Sequence, residues 1–303
     1  MNNIPTFKDG DVICFFGDSI TANGTYMAEV YQTLKHTVKV KCYNCGVPGA
    51  TAYDSEPRLY THCLIHNPTY VVMMFGINDI TREKYADSCL DPNKEKIKAD
   101  SIIRHKQSYE WLVKEIISHG ATPIMCFPVP YDDISEVQTE NYNCSKGLLA
   151  CIDCVKEIQK EYGGYIVDFY NVMYAMLNTK KVIGDDRVHP TTYGYHVMAQ
   201  TFMQQMGILE NTDYDNPFII EEWNRKRYDV ERPLERLNFV DYCILSPVHR
   251  EGKLTLDERK ELIKKRYDAE PNKKGFIPEA YDFYLKNIDF KEKIIAEVIK
   301  HTI

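Results

Sequence analysis

Five short apolar runs separated by longer amphipathic stretches fill residues 1–210 and leave few folds open. The runs are 11–17 (DVICFFG), 38–44 (VKVKCYN), 70–76 (YVVMMFG), 121–128 (ATPIMCFP) and 165–170 (YIVDFY). Each has strand length, and most are apolar at consecutive positions, the mark of a strand buried on both faces. Between them, 21–34, 56–66, 94–119, 145–162 and 191–206 carry apolar residues at helical spacing. Strand and helix in strict alternation predict a parallel sheet covered by helices on both sides. In such a sheet, right-handed crossovers place ligand chemistry at the carboxyl ends of the strands.

The chain has 303 residues, 44% hydrophobic and 27% charged, with a net charge of −7, so it can bury a core and has no excess of cations for a phosphate backbone. Nucleic acid is not an expected partner. No apolar run approaches the roughly 20 residues that cross a bilayer. The opening MNNIPTFKDG lacks the pattern of a secretory signal, so the expectation is a cytoplasmic chain without a membrane span. Ten cysteines in such a chain read as reduced thiols, mostly small core hydrophobes. Cys42 with Cys45 and Cys151 with Cys154 have C-x-x-C spacing, and His62 with His66 has helical i, i+4 spacing. Neither set has the compact spacing of a zinc knuckle or a third ligand beside it, so no metal and no cofactor is expected.

Charge density changes near residue 210: about a fifth of 1–210 is charged, against about two fifths of 211–303. This predicts two units, 1–210 with the sheet and 211–303 as a mostly helical extension. Trp223, Phe239, Tyr242, Tyr281, Phe283 and Tyr284 give that extension enough aromatic surface to need a packing partner, either the first unit or a second copy of the chain.

Residues able to do chemistry sit where the sheet would place them. The first strand ends in Gly17-Asp18-Ser19-Ile20 before a helical stretch, so the Ser19 hydroxyl stands at the sheet rim, as a nucleophile or as a helix N-cap. The second runs into Asn44-Cys45-Gly46-Val47-Pro48-Gly49-Ala50-Thr51 and the third into Gly76-Ile77-Asn78-Asp79. Glycine N–H groups and an asparagine amide can converge on one developing oxyanion, although the same residues are also ordinary turn formers. Asp186-Arg187-Val188-His189-Pro190 precedes the last helical stretch, and a carboxylate three residues before a histidine can orient its ring as a base. The Pro128–Asp133 stretch after the fourth strand falls on the same rim and could shape a pocket or serve as a rigid turn.

Taken together, Gly17-Asp18-Ser19-Ile20, Gly49, Gly76-Ile77-Asn78-Asp79 and Asp186-Arg187-Val188-His189 resemble the four sequence blocks of the SGNH (GDSL-type) hydrolases, in the family's order, over roughly residues 11 to 207. Ile20 stands where the usual block has leucine. The resemblance implies a flavodoxin-like three-layer α/β/α sandwich on a five-stranded parallel sheet. It implies Ser19 as nucleophile, His189 as base and Asp186 as its orienting partner. The oxyanion donors would be the N–H groups of Ser19 and Gly49 and the Asn78 amide; alignment on Asn44 and Thr51 favours Gly49 over Gly46. The implied activity is a serine esterase working through an acyl-enzyme, removing a short acyl group, acetyl, from a small-molecule or carbohydrate ester. A lysophospholipase or thioesterase with longer acyl specificity, and a non-catalytic binding or assembly protein on the same fold, are the other readings.

Overall fold

The computed structural model describes residues 4–56 and 58–215. The expected helices of 211–303 lie, beyond residue 215, outside the described residues. Strands β1 (Val12–Gly17), β2 (Lys41–Asn44), β3 (Tyr70–Met74), β4 (Thr122–Phe127) and β5 (Tyr165–Asp168) pair in parallel in the order β2-β1-β3-β4-β5. That is the flavodoxin-like order, and its reversal point lies between β1 and β3, where the chain leaves toward opposite edges and opens a crevice.

The alternation of side chains along the strands explains the unbroken apolar runs. Ile13, Phe15, Val72, Met74, Ile124, Cys126 and Val167 face one core; Cys14, Phe16, Val71, Met73, Met125 and Phe127 face the other. Helices α2 (Thr25–Leu34), α6 (Phe169–Tyr174) and α7 (Thr192–Gln205) cover the first face, and α4 (Lys94–Ser118) with α5 (Ser145–Tyr162) covers the second. Every buried strand residue therefore loses water on both sides of the sheet, which is why this core tolerates so little polarity. Thr191 starts α7 by accepting from Gly194 N–H at 3.1 Å, and Gly163 closes α5 on the Gln159 carbonyl at 2.9 Å. Among the described residues no helix is long and apolar enough to cross a membrane.

Three expected elements differ from the structure. The stretch 21–34 is two helices, α1 (Ser19–Asn23) and α2, broken at Gly24, whose left-handed backbone (φ 73°) ends one and begins the other. The stretch 56–66 is not one α-helix: α3 (Ala52–Ser55) is followed by a π-helical turn at Leu59–Cys63 and a 3-10 turn at Leu64–His66. Pro57, which has no N–H to donate, falls between these pieces in the sequence. The fifth strand stops at Asp168, whose carboxylate accepts from Asn171 N–H at 2.9 Å and turns Phe169 and Tyr170 into α6.

A buried polar cluster ties the end of the described chain to the sheet's helical cover. Glu29 on α2 accepts from Gln200 Nε2 at 2.7 Å and lies 3.0 Å from His196 Nδ1. His196 Nε2 lies 2.9 Å from the Asp213 carbonyl oxygen, and Gln200 Oε1 accepts from Asp213 N–H at 2.9 Å. Both His196 nitrogens thus face acceptors. Burial opposes charge on this ring, but Glu29 and the Asp213 carbonyl outweigh it and raise its pKa.

Candidate active site

Asp18, Ser19, Gly49 and Asn78 come from the loops at the carboxyl ends of β1, β2 and β3, on either side of the crevice between β1 and β3. Asp18, not Ser19, caps α1: its Oδ1 accepts from Ile20 N–H at 2.9 Å, and Ser19 becomes the first helical residue. That frees the Ser19 hydroxyl from capping. Ser19 Oγ lies 2.7 Å from His189 Nε2, and His189 Nδ1 lies 2.5 Å from Asp186 Oδ2. Asp186 Oδ1 also accepts from the N–H groups of Val188 and His189 at 3.0 and 2.9 Å. Burial acts to raise the Asp186 pKa, but these three hydrogen bonds prevail and hold it below the usual carboxylate range. Asp185, next to it, turns outward to Lys181.

The two glycines of the second block separate clearly. Gly46 N–H donates to Asn44 Oδ1 at 3.0 Å, and a Cβ at this position would sit 2.3 Å from Ala22 N. Gly46 is therefore a packing residue. Gly49 is exposed, has open space around it and a left-handed backbone (φ 78°), so conformation rather than crowding calls for glycine there. Asn78 Nδ2 donates to the Ala50 carbonyl at 3.1 Å and lies 3.5 Å from Asp18 Oδ2, which keeps its amide against the Gly49–Ala50 turn. Asp79 Oδ1 accepts from Ala52 N–H at 2.9 Å and lies 3.1 Å from His105 Nδ1 on α4, so a buried pair locks the β3 and β2 loops to each other.

The histidine loop is held from outside. Ile183 and Pro190 bridge its two ends, and Arg187, at φ 65°, turns its side chain into the protein. Its Nε donates to Thr139 O at 2.8 Å, Nη1 to Asp132 O at 2.8 Å and Ser135 O at 3.0 Å, and Nη2 to Val137 O at 3.3 Å. Asp132 N–H returns a bond to Arg187 O at 3.0 Å. The loop after β4, expected on this rim, is thus the clamp of the His189 loop. Nothing in the sequence marked Arg187 for this role. His105 was more accessible to reasoning, since it shares the apolar stripe of α4 with Tyr109, Leu112, Val113 and Ile116.

Asp18 is fully buried, and desolvation pushes its pKa up to about 7; Ile20 N–H pulls the other way and the Asp79 charge adds to the rise. The folded state therefore holds a proton that the unfolded chain releases near about pH 4. Stability from this group is complete at acid pH and declines as pH rises toward about 7. Asp18→Asn keeps the acceptor for Ile20 N–H and removes the titration. In paired denaturant melts, the variant should gain on the parent between about pH 4 and about pH 7 and hold a constant lead above that; a constant difference across the whole range would show that Asp18 does not titrate there.

The metal patterns considered from sequence do not assemble. His62 and His66 lie on π and 3-10 turns, with His66 stacked on Tyr43 at 3.9 Å. Cys42, Cys151 and Cys154 join no ligand cluster among the described residues; Cys45 instead lies with Cys14 and Cys63.

The model of the GDSL-like Lipase/Acylhydrolase family matches residues 15–197. An acetylxylan esterase of Geobacillus stearothermophilus is 25% identical over 218 residues, 65% of this chain and 94% of that protein. The solved structure of Axe2, an acetylxylan esterase from Geobacillus stearothermophilus, superposes with a TM-score of 0.55 at 22% identity, over 70% of this chain and 99% of that one. The structure of BT4096, described as a gut microbial diltiazem-metabolizing enzyme, superposes with a TM-score of 0.61 at 23% identity; the match covers 68% of this chain and 49% of that longer one. Through the matched family model and the sheet that carries it, the chain belongs to the GDSL-like lipase/acylhydrolases, the SGNH hydrolases, and is a carboxylic ester hydrolase.

Proposed function

We propose that the chain removes a short acyl group, acetyl, from a small-molecule or carbohydrate ester through an acyl-enzyme on Ser19. The observation that carries this reading is the run of hydrogen-bond contacts from Ser19 Oγ to His189 Nε2 (2.7 Å) and from His189 Nδ1 to Asp186 (2.5 Å). Ser19 Oγ attacks the acyl carbon while His189 takes its proton. Asp186, kept ionised by its hydrogen bonds, favours the imidazolium that forms. The tetrahedral oxyanion is met by the N–H groups of Ser19 and Gly49 and by the Asn78 amide. His189 then protonates the leaving alkoxide, and in the second half it activates the water that hydrolyses the acyl-serine.

The choice of acetyl is supported by the acetylxylan esterase relative, whose length is matched almost entirely. Rates on p-nitrophenyl esters from acetyl to palmitoyl test it directly: the expected profile is highest at acetyl and falls steeply with chain length. A maximum at a long chain would replace acetyl specificity with the longer-acyl reading. Asn78→Ala should lower kcat by about 10²- to 10³-fold with little change in KM, because its amide matters most when charge develops on the oxygen. A KM effect alone would move Asn78 from oxyanion stabilisation to ground-state binding.

A further inference from the structure

On the face of the sheet covered by α4 and α5, three thiols from three separate elements converge. Cys14 is on β1, Cys45 follows β2, and Cys63 ends the π-helical turn; their sulfurs all lie within 4.8 Å of one another, and none of the three residues is exposed. The remaining buried cysteines, Cys126, Cys144, Cys151 and Cys154, join no such group among the described residues.

A buried cation lies beside the cluster. Arg58, itself buried, donates to the Cys45 carbonyl at 2.7 Å and to the Gly17 carbonyl at 2.8 Å, which brings a guanidinium charge beside the cluster. Cys63 closes a π-helical turn, an irregularity that recurs at functional sites.

We propose that Cys14, Cys45 and Cys63 form a binding site for one thiophilic cation, a three-coordinate Cu(I), beneath the loop that follows β2. Three sulfurs at about 2.3 Å from a central ion lie about 4 Å apart, a spacing the cluster reaches without rebuilding the core. Soft thiolates select soft cations, and three sulfurs with no fourth His, Cys, Asp or Glu grouped with them among the described residues suit three-coordinate Cu(I) better than the four ligands Zn(II) takes. On entry, the thiol protons pass to solvent and all three sulfurs bind as thiolates, with no change in oxidation state. The ion would stiffen the turn into Gly49, since Cys45 O and Gly17 O share Arg58. The site stands apart from the Ser19 chemistry, and its test does not depend on esterase activity.

The full chain, chelator-treated and kept reduced without oxygen, is titrated with Cu(I) against a chromogenic Cu(I) chelator. One Cu(I) per chain should be withdrawn from the chelator, with sulfur alone in its coordination shell by X-ray absorption. A Cys42→Ser, Cys89→Ser, Cys243→Ser variant should behave as the parent. Cys45→Ala and Cys63→Ala should each lose roughly 100-fold or more in affinity, beyond the 10- to 100-fold typical of losing a group outside the ligand shell. Cu(I) should also raise the Tm of the parent and not of these two variants, and circular dichroism confirms that each is folded. Two independent variants guard against one that fails to fold. Copper uptake unchanged by the cluster substitutions, no uptake at all, or Zn(II) bound in preference to Cu(I) would each overturn the assignment.

Discussion

Ser19→Ala should leave a folded protein whose kcat/KM on p-nitrophenyl acetate is lower by on the order of 10⁴- to 10⁶-fold. The substitution is mild for the fold. Ser19 is the first residue of α1, where alanine is a good helix former, and the cap belongs to Asp18, which is untouched. What disappears is the Oγ that lies 2.7 Å from His189 Nε2. The backbone N–H at position 19 remains, so a small residual rate from the oxyanion donors is expected, and adding Asn78→Ala should cut that residue further. Steady-state hydrolysis measures the loss, and an organofluorophosphonate probe should label the parent quickly and the variant not at all. An active, labelled Ser19→Ala enzyme would remove Ser19 from the chemistry and favour a different nucleophile.

Arg187→Met should damage both stability and rate although Arg187 lies outside the hydrogen-bonded run from Ser19 to Asp186. The left-handed backbone at this residue is unfavourable for a side chain of its size, at about 1–3 kcal/mol, and persists because the guanidinium fixes it through four carbonyls. Methionine fills similar space but supplies no donor, so carbonyls of the 132–139 segment lose their partners. The expected loss is about 3 kcal/mol or more, a fall in Tm of roughly 6–12 °C for a domain of this size. With the clamp gone, the Asp186–His189 loop no longer sits in one place, and misplacement of a base by about 1 Å is enough for roughly a 10²-fold fall in kcat. Arg187→Lys should recover only part, since one ammonium cannot span carbonyls reached by a planar fork. Thermal melts and kcat measured on the same samples check this; a variant as stable and as fast as the parent would show that the loop stands without its arginine.

The strands were legible in the sequence because both faces of the sheet are buried, so runs such as YVVMM leave no competing period to misread. The turns around 52–66 were not, because apolar spacing continues through Pro57 while the backbone changes from α to π to 3-10. Helix α6 was hidden because Phe169 and Tyr170 read as more strand, and only the Asp168 cap ends the ladder. At the candidate site, Ser19 and Asn78 stood out because they follow β1 and β3, and Asp186 and His189 because of their spacing in the loop before α7. The groups that hold them were not. Asp18 becomes a buried acid only when Asp79 and the crevice close over it, and Arg187 acquires its role from carbonyls some fifty positions earlier. Sequence spacing reports local geometry, whereas these roles arise from packing between distant segments.

The anchoring of Asp213 by His196 and Gln200 has a practical bearing on how the chain can be shortened. A protein cut at residue 207 or 210 would keep every described strand and every candidate residue of the Ser19 site, yet it would strip the backbone acceptor from a ring that presents both nitrogens to acceptors and the donor from a buried glutamine. Glu29 would then be left to hold the imidazole with one face opened to water, in the middle of the α2–α7 seam. Any minimal enzyme made for crystals, screening or immobilisation should therefore run through residue 215, and a poor yield from a shorter one would report a severed tether before it reported anything about the region beyond.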